Sequence, residues 1–396
     1  MKNCTFFKAA TIIFLTVLLG VTAISCDTED KTIPTWDRSY TANSATMYKS
    51  RFVFETSEEN LVSYGGTSVL DLLCTTPDGE IIWEKSFSDI LNSSYQTYQV
   101  IEIPHHFLVI CYVDKTYAIT RIVMDEEGNQ IEQATIPVPF LESVRGIDIT
   151  EETIFVAVRD ATSGSWFKKL SRSGETLWTL DATDFVNDVC TFLFIKATKD
   201  GGAVVVGRRN DDSDKETGCV AKIDSDGTMA WTTYVQSIAG SPAASWDSPK
   251  LIFETQDGGF LYTAHYGGPG GEAYVGSYIA KISRKGNVTA KVLFSGTYAN
   301  CAKETPEKSI IVAGFDSSFN VPSNDVRIES FYIQKMNAMF GVQWKREFEV
   351  VDGSAMRERM LDISETSDGG YITASGYPYN SIYWLTKVNN KGNLNP

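Results

Sequence analysis

KLSRSGETLW (Lys169–Trp178) and KIDSDGTMAW (Lys222–Trp231) are one ten-residue phrase written twice. Each closes an apolar run on a lysine, reaches a turn glycine five positions later and places a tryptophan four positions beyond it. CTTPDGEIIW (Cys74–Trp83) keeps that spacing with cysteine in the basic slot. KISRKGNVTA, from Lys281, puts Ala290 in the tryptophan slot, and KMNAMFGVQW (Lys335–Trp344) shifts its glycine by one residue. A degenerate copy runs from Arg121 through Asp125-Glu126-Glu127-Gly128, and the last, KVNNKG, from Lys387 to Gly392. Turn glycines at 79, 128, 174, 227, 286, 341 and 392 therefore mark seven units of a repeat architecture.

Each unit opens with a second tight turn. Thr198-Lys199-Asp200-Gly201-Gly202, Thr255-Gln256-Asp257-Gly258-Gly259 and Thr366-Ser367-Asp368-Gly369-Gly370 each separate two apolar runs, and glycine there supplies the positive φ of a tight hairpin. Glu58-Glu59-Asn60, Pro104-His105-His106, Glu151-Glu152 and Glu307-Lys308 fill the same slot elsewhere. The unit thus reads strand, tight turn, strand, long loop, strand, tight turn, strand. Four antiparallel strands per repeat make a propeller blade, so the expected fold is all-β, a seven-bladed β-propeller. The seventh unit stops at Gly392–Pro396, where its outer strand is due, and Ile33–Tyr40 has the alternation of Ile82–Phe87. An N-terminal strand is predicted to complete the last blade against Tyr383–Asn389 and so remove two open edges. Trp36, Trp83, Trp178, Trp231 and Trp344 hold one position per blade and are read as core.

This pattern resembles the quinoprotein-type and WD-repeat-like propellers of Bacteroidetes surface lipoproteins. The resemblance spans residues 33–396 and rests on the glycine–tryptophan and Asp-Gly-Gly motifs, which specify architecture rather than chemistry. An outer-membrane barrel-assembly scaffold lipoprotein also resembles it, although that family has eight blades.

The N-terminus carries a second message. Lys2 and Lys8 precede an apolar run, Ala9–Val21, and Ala23-Ile24-Ser25-Cys26 closes it. Residues 1–25 read as a signal peptide. The closing residues resemble a bacterial lipobox, which implies acylation of Cys26, palmitate included, and an acidic tether over 26–32. Asp27, Glu29 and Asp30 resemble surface-export signals, so the expected location is the outer membrane, lipid-anchored and cell-surface exposed, with a periplasm-facing anchor as the alternative. Loss of the two leader lysines leaves 33 cationic against 50 acidic residues, a net charge of −17. Such a surface repels phosphate backbones, and no nucleic-acid partner is expected. Cys74, Cys111, Cys190, Cys219 and Cys301 are an odd number without close pairing, which reads as buried thiols and not a disulfide framework.

Both tight turns of a blade fall on one face, so the long loops share the other, where ligands bind. The long segments are Ser88–Tyr98, Arg208–Gly218, Ser237–Pro249, Tyr266–Ser277 and Phe315–Glu329. They direct attention to Trp246, His265, Tyr266, Tyr274, Arg208, Arg209 and Phe319, with His265 expected to reach the long-loop face. Tyr95, Tyr98, Tyr377, Tyr379, Arg357 and Arg359 lie in or beside the same loops. Aromatic rings with a polar edge suit glycans or peptides. No cofactor and no metal are expected. The aspartates of Asp224-Ser225-Asp226-Gly227 give way to Ser-Arg-Ser and Ser-Arg-Lys in sister turns, which cannot cage calcium. Three histidines with no cluster make a poor zinc site, and the adjacent cysteine pair of quinone enzymes is missing. Two functions fit this pattern. One is a non-enzymatic lipoprotein binding a glycan or protein partner through the long-loop face. The other is a polysaccharide hydrolase or lyase using loop carboxylates such as Asp316, Glu329, Asp247 and Glu272, whose separation would decide the chemistry.

Overall fold

Twelve of the fourteen tight turns close with one pattern of backbone bonds. In the first blade Thr76 N donates to Glu80 O at 2.8 Å and Gly79 N to Thr76 O at 2.9 Å, and Gly79 takes φ +80°. The computed structural model describes residues 33–41, 50–65, 70–87, 96–113, 118–137, 143–160, 164–182, 190–210, 216–236, 247–267, 274–320, 325–349, 360–377 and 382–394. These residues form seven four-stranded antiparallel sheets. Six take their strands consecutively, as in the fifth blade, whose strands from the axis outward are Asp247–Glu254, Phe260–Gly267, Tyr274–Ile282 and Val288–Ser295. The seventh uses Met360–Glu365, Tyr371–Tyr377 and Ile382–Val388, and takes Trp36–Thr41 as its outer strand. Trp36 pairs with Lys387 and Tyr40 with Tyr383, so the N-terminal strand closes the ring as the repeat requires.

The tryptophans tie blade to blade. Trp36 Nε1 donates to Pro77 O at 2.9 Å, Trp83 Nε1 to Glu126 O at 2.7 Å, Trp178 Nε1 to Ser225 O at 3.1 Å and Trp231 Nε1 to Arg284 O at 2.9 Å. Each acceptor lies two residues before the turn glycine of the following blade, and the ring lies flat on that glycine. A Cβ on Gly79 would stand 2.8 Å from Trp36, and one on Gly286 2.6 Å from Trp231. Glycine is needed there twice over, for its left-handed φ and for its missing side chain.

Two joints depart from this: between blades two and three the residue on the turn glycine, Gly174, is Ile136, and the joint between blades five and six is rebuilt. In the sixth blade the left-handed residue is Phe340, at φ +63°, and not Gly341. Phe340 N donates to Asn337 O at 3.0 Å, so Phe340 holds the slot that glycine holds elsewhere. The preceding blade carries Ala290 in place of tryptophan, and the vacated space is filled from the other side, with Phe340 packed on the cluster of Ile279, Ala299 and Tyr332. The carbonyl two residues back, Ala338 O, accepts from Lys281 Nζ at 2.7 Å.

Near the axis, acids make further ties. Asp362 of blade seven accepts from Val53 N of blade one at 3.1 Å and pairs with Lys303 of blade six at 2.7 Å. Glutamates at or next to the ends of four innermost strands each accept a backbone N–H from the turn of the blade before: Glu102 from Ser57, Glu254 from Lys199, Glu304 from Gln256 and Glu55 from Ser367. Glu365 ends the seventh, but the corresponding turn residue is Pro306, which has no N–H. Its Oε2 is buried without a hydrogen-bond partner, and burial, then the nearby Glu307, raise its pKa above the usual glutamate value.

Much of what reads as long loop in the sequence is strand. Arg208–Asn210 pair with Glu216–Gly218. Residues 317–320 pair with 325–328 beyond a register shift at Asp316/Ser317, so the Phe315–Glu329 segment is largely a β-hairpin. Asp247, Asp316 and Glu329, taken as loop carboxylates, therefore sit in strands. Backbone pairing simply continues where alternating residues permit it.

Candidate functional site

The long-loop half of blades four to six is rich in tyrosine, lysine and carboxylate. In blade five, Tyr278 Oη donates to Val235 O of blade four at 3.1 Å, and Lys291 Nζ lies 6.0 Å from the centre of the Tyr278 ring. Asp247, at the start of the innermost strand, is buried beside them. Burial lowers the pKa of Lys291 and Asp247 opposes that shift. Tyr262 and Tyr278 are fully buried, and desolvation drives both phenols well above their ordinary range. Blade six repeats the arrangement. Lys345 Nζ lies 4.6 Å from the centre of the Tyr332 ring and bonds Asp316 Oδ2 and Glu347 Oε1, each at 2.8 Å. Burial pulls the Lys345 ammonium down, but its hydrogen bonds to Asp316 and Glu347 more than offset this, so its pKa ends above the usual lysine value.

The sequence-predicted residues distribute unevenly around this cluster. Arg209 is half-buried, its guanidinium 4.8 Å from the centre of the Tyr234 ring on the outer strand of its own blade. Arg208, next to it, is also half-buried. His265 does not reach the surface: it is fully buried, edge-on to Tyr298 at 5.1 Å and Phe315 at 6.3 Å, two rings of blade six that stack on each other at 4.6 Å. Tyr266 is buried as well, its hydroxyl against Gly276. Tyr274 opens the third strand of blade five opposite Gly267, and Phe319 pairs with Val326 in the blade-six hairpin. Trp246, Glu272 and Cys26 lie outside the described residues.

Sequence reading passed over the Tyr–Lys–carboxylate pairs themselves. A signal existed. Tyr278 and Tyr332 each stand three residues before the repeat lysine, and Lys291 and Lys345 each follow the tryptophan slot. Aligning blades five and six alone would have found them. The tight-turn face is different in kind, because its acids serve the turns. Asp200 Oδ1 accepts from Gly202 N at 3.0 Å and from Lys222 Nζ at 3.1 Å, and Asp226 Oδ1 accepts from Thr228 N at 2.9 Å. Among the described residues no group of three histidine, cysteine, aspartate or glutamate side chains could hold a metal ion.

No known family's sequence profile matches the chain, and no curated protein is similar to it. Solved structures are similar in fold. The extracellular domain assigned to a hybrid two-component system of B. thetaiotaomicron superposes with a TM-score of 0.52 at 10% identity, over 89% of this chain and 39% of that one. A second structure of the same protein's extracellular domain, described there as a one-component system, gives 0.51 at 12% identity, over 90% and 42%. The chain thus spans about two fifths of that domain's length. The first two extracellular domains of Drosophila semaphorin 1a give 0.50 at 7% identity, over 88% and 87%. At such identities the likeness is one of fold: the chain is a seven-bladed β-propeller.

Proposed function

We propose that this protein is a lipid-anchored cell-envelope protein, acylated at Cys26, that binds a glycan or a protein partner through the long-loop face over blades four to six. One observation carries the reading. Acids of the tight-turn face such as Asp200 and Asp226 close turns, whereas the long-loop half of blades four to six carries an Arg209–Tyr234 pair in blade four and a Lys345–Glu347 pair in blade six, with Tyr234 and Glu347 exposed. His265, Tyr298 and Phe315 are buried against one another between blades five and six and leave contact to the exposed rings and charges. Rigid aromatic platforms with polar edges bind sugars and peptides at small entropic cost. The similar fold from B. thetaiotaomicron is an extracellular domain, in keeping with a surface location.

The test is a glycan array probed with the mature chain, residues 26–396, alongside a panel of chromogenic glycosides. Binding without turnover is expected. Trp246→Ala or Tyr274→Ala should weaken it by roughly 0.5–1.5 kcal/mol, about two- to twelve-fold in Kd, without unfolding. If those changes leave affinity intact while substitutions at His105 or Asp200 abolish it, the assignment of the face is reversed. Steady turnover of a glycoside would replace the binding reading with the hydrolytic one.

A further inference from the structure

The direction in which the chain joins the ring constrains how the ring can stand on a membrane. Ile33 Cγ2 lies 3.0 Å from where a Cβ on Gly370 would be, in the inner tight turn of blade seven. Three residues later Trp36 pairs with Lys387 and covers Gly79 in the outer tight turn of blade one. Both contacts belong to the tight-turn face, and Trp36–Thr41 then climbs from that face toward the long-loop face. The chain therefore enters the ring at its tight-turn face.

The length of the tether then limits where a lipid can sit. Seven peptide units separate Cys26 from Ile33, and fully extended they reach at most about 25 Å. The height of the ring is that of one strand. Val288–Ser295 has eight residues, seven Cα steps of ~3.4 Å or about 24 Å. Along a straight line through the ring the tether's full reach only just equals that height, and the packed blades occupy that line. A path around the rim is longer by two or three strand spacings of ~4.8 Å. We infer that the tight-turn face is turned toward the lipid surface and the long-loop face is presented away from it. This rests on the reading of Cys26 as the lipid-bearing residue.

The chemistry of that rim fits an uncharged headgroup layer. Ile81 is 55% exposed, Val342 61% and Met339 85%, all in or just after outer tight turns. Between them stand the exposed carboxylates Glu58, Glu59, Asp78, Glu80, Glu126 and Glu127, which oppose an anionic surface. The lipid partner is accordingly a zwitterionic surface.

The test uses two probes at the ends of the outer strand of blade five, Lys285→Cys in the tight turn before it and Ser295→Cys at its long-loop end, both exposed. Cys74, Cys111, Cys219 and Cys301 are buried, and Cys190→Ser removes the remaining thiol. The mature chain is condensed through the amine and thiol of Cys26 with a cyanobenzothiazole lipid, labelled with a fluorophore and placed on phosphatidylcholine vesicles holding a headgroup nitroxide. Quenching at 285 should exceed that at 295 at least about twofold, because the ~24 Å between strand ends outruns a contact quencher. Equal or reversed quenching overturns the inference. Flotation of wild type and Cys26→Ser from cells tests acylation separately. Loss of the wild-type flotation with the asymmetry intact would remove the anchor and leave the geometry standing.

Discussion

The joint between blades seven and one and the joint between blades five and six solve one packing problem in opposite ways. At the first, Trp36 reaches across from the outer strand, and Gly79 gives it room. At the second, the outer strand contributes only Ala290, and the turn answers with Phe340 in the glycine slot, accepting a left-handed φ to fill the gap. Both joints hold one large ring, and either blade can supply it. At the exchanged joint the missing tryptophan goes with a missing turn glycine, and the indole's hydrogen bond is replaced too, since Lys281 takes it over.

The largest expected effect comes from breaking the closing joint. Trp36→Ala should lose about 3–5 kcal/mol of stability in urea unfolding, and removal of residues 33–41 should lose more by unpairing the last blade. An unchanged midpoint in either would show that the ring does not depend on its N-terminal strand.

Next come the glycines. Gly79→Ala meets both a strained φ and the Trp36 ring, and should cost roughly 2–4 kcal/mol when overpacking is added to strain. Gly369 has φ +83° with nothing within 4 Å of a new Cβ, so Gly369→Ala should cost only about 1–2 kcal/mol. Equal losses at the two sites would mean that the tryptophan is no part of the glycine requirement.

The exchanged joint offers a double-mutant cycle. Ala290→Trp alone forces an indole against Phe340 and should destabilise by about 1–3 kcal/mol. Ala290→Trp with Phe340→Gly recreates the ordinary joint and should recover most of that loss. Strict additivity of the two changes would refute the exchange.

The smallest effect concerns Glu365, the acid left without a donor by Pro306. Pro306→Ser restores the N–H that Ser57 and Ser367 provide in sister turns. A charge-assisted hydrogen bond of ~1.5–3 kcal/mol, less ~0.4–1 kcal/mol for the lost proline constraint, leaves a net gain of about 1 kcal/mol. The pH dependence has a definite sign. The folded-state pKa of Glu365 is raised, so its contribution is most favourable below the ordinary glutamate value and is lost as pH rises through the raised one. Glu365→Gln should therefore match wild type in acid and exceed it progressively toward pH 7. A gain that did not change with pH would place its origin elsewhere.

Much of this was legible in the chain. The spacing from Lys169 to Gly174 to Trp178, repeated, gave the blade, and the matched deficit at Gly392 and surplus at Trp36 gave the closure. Even the shifted glycine at 341 was visible, although its meaning was not: only the missing tryptophan at Ala290, one blade away, explains Phe340. The site was less legible. Tyr278 with Lys291 and Tyr332 with Lys345 could have been found by aligning two blades, whereas the burial of His265 and Tyr266 could not.

By itself, the sequence determined the number of blades, their strand order and the strand that closes the ring. Those depend on partners joined by turns of a few residues, so pairing is encoded locally in alternation and turn chemistry. Only the tertiary structure decided which long segments become strand and which side chains face solvent. His265 ends a strand as a surface residue would, and it is Tyr298 and Phe315 of the next blade that cover it. A contact between blades has no local signature, because it is set by how neighbouring sheets stack around the axis and not by the order of residues in either one.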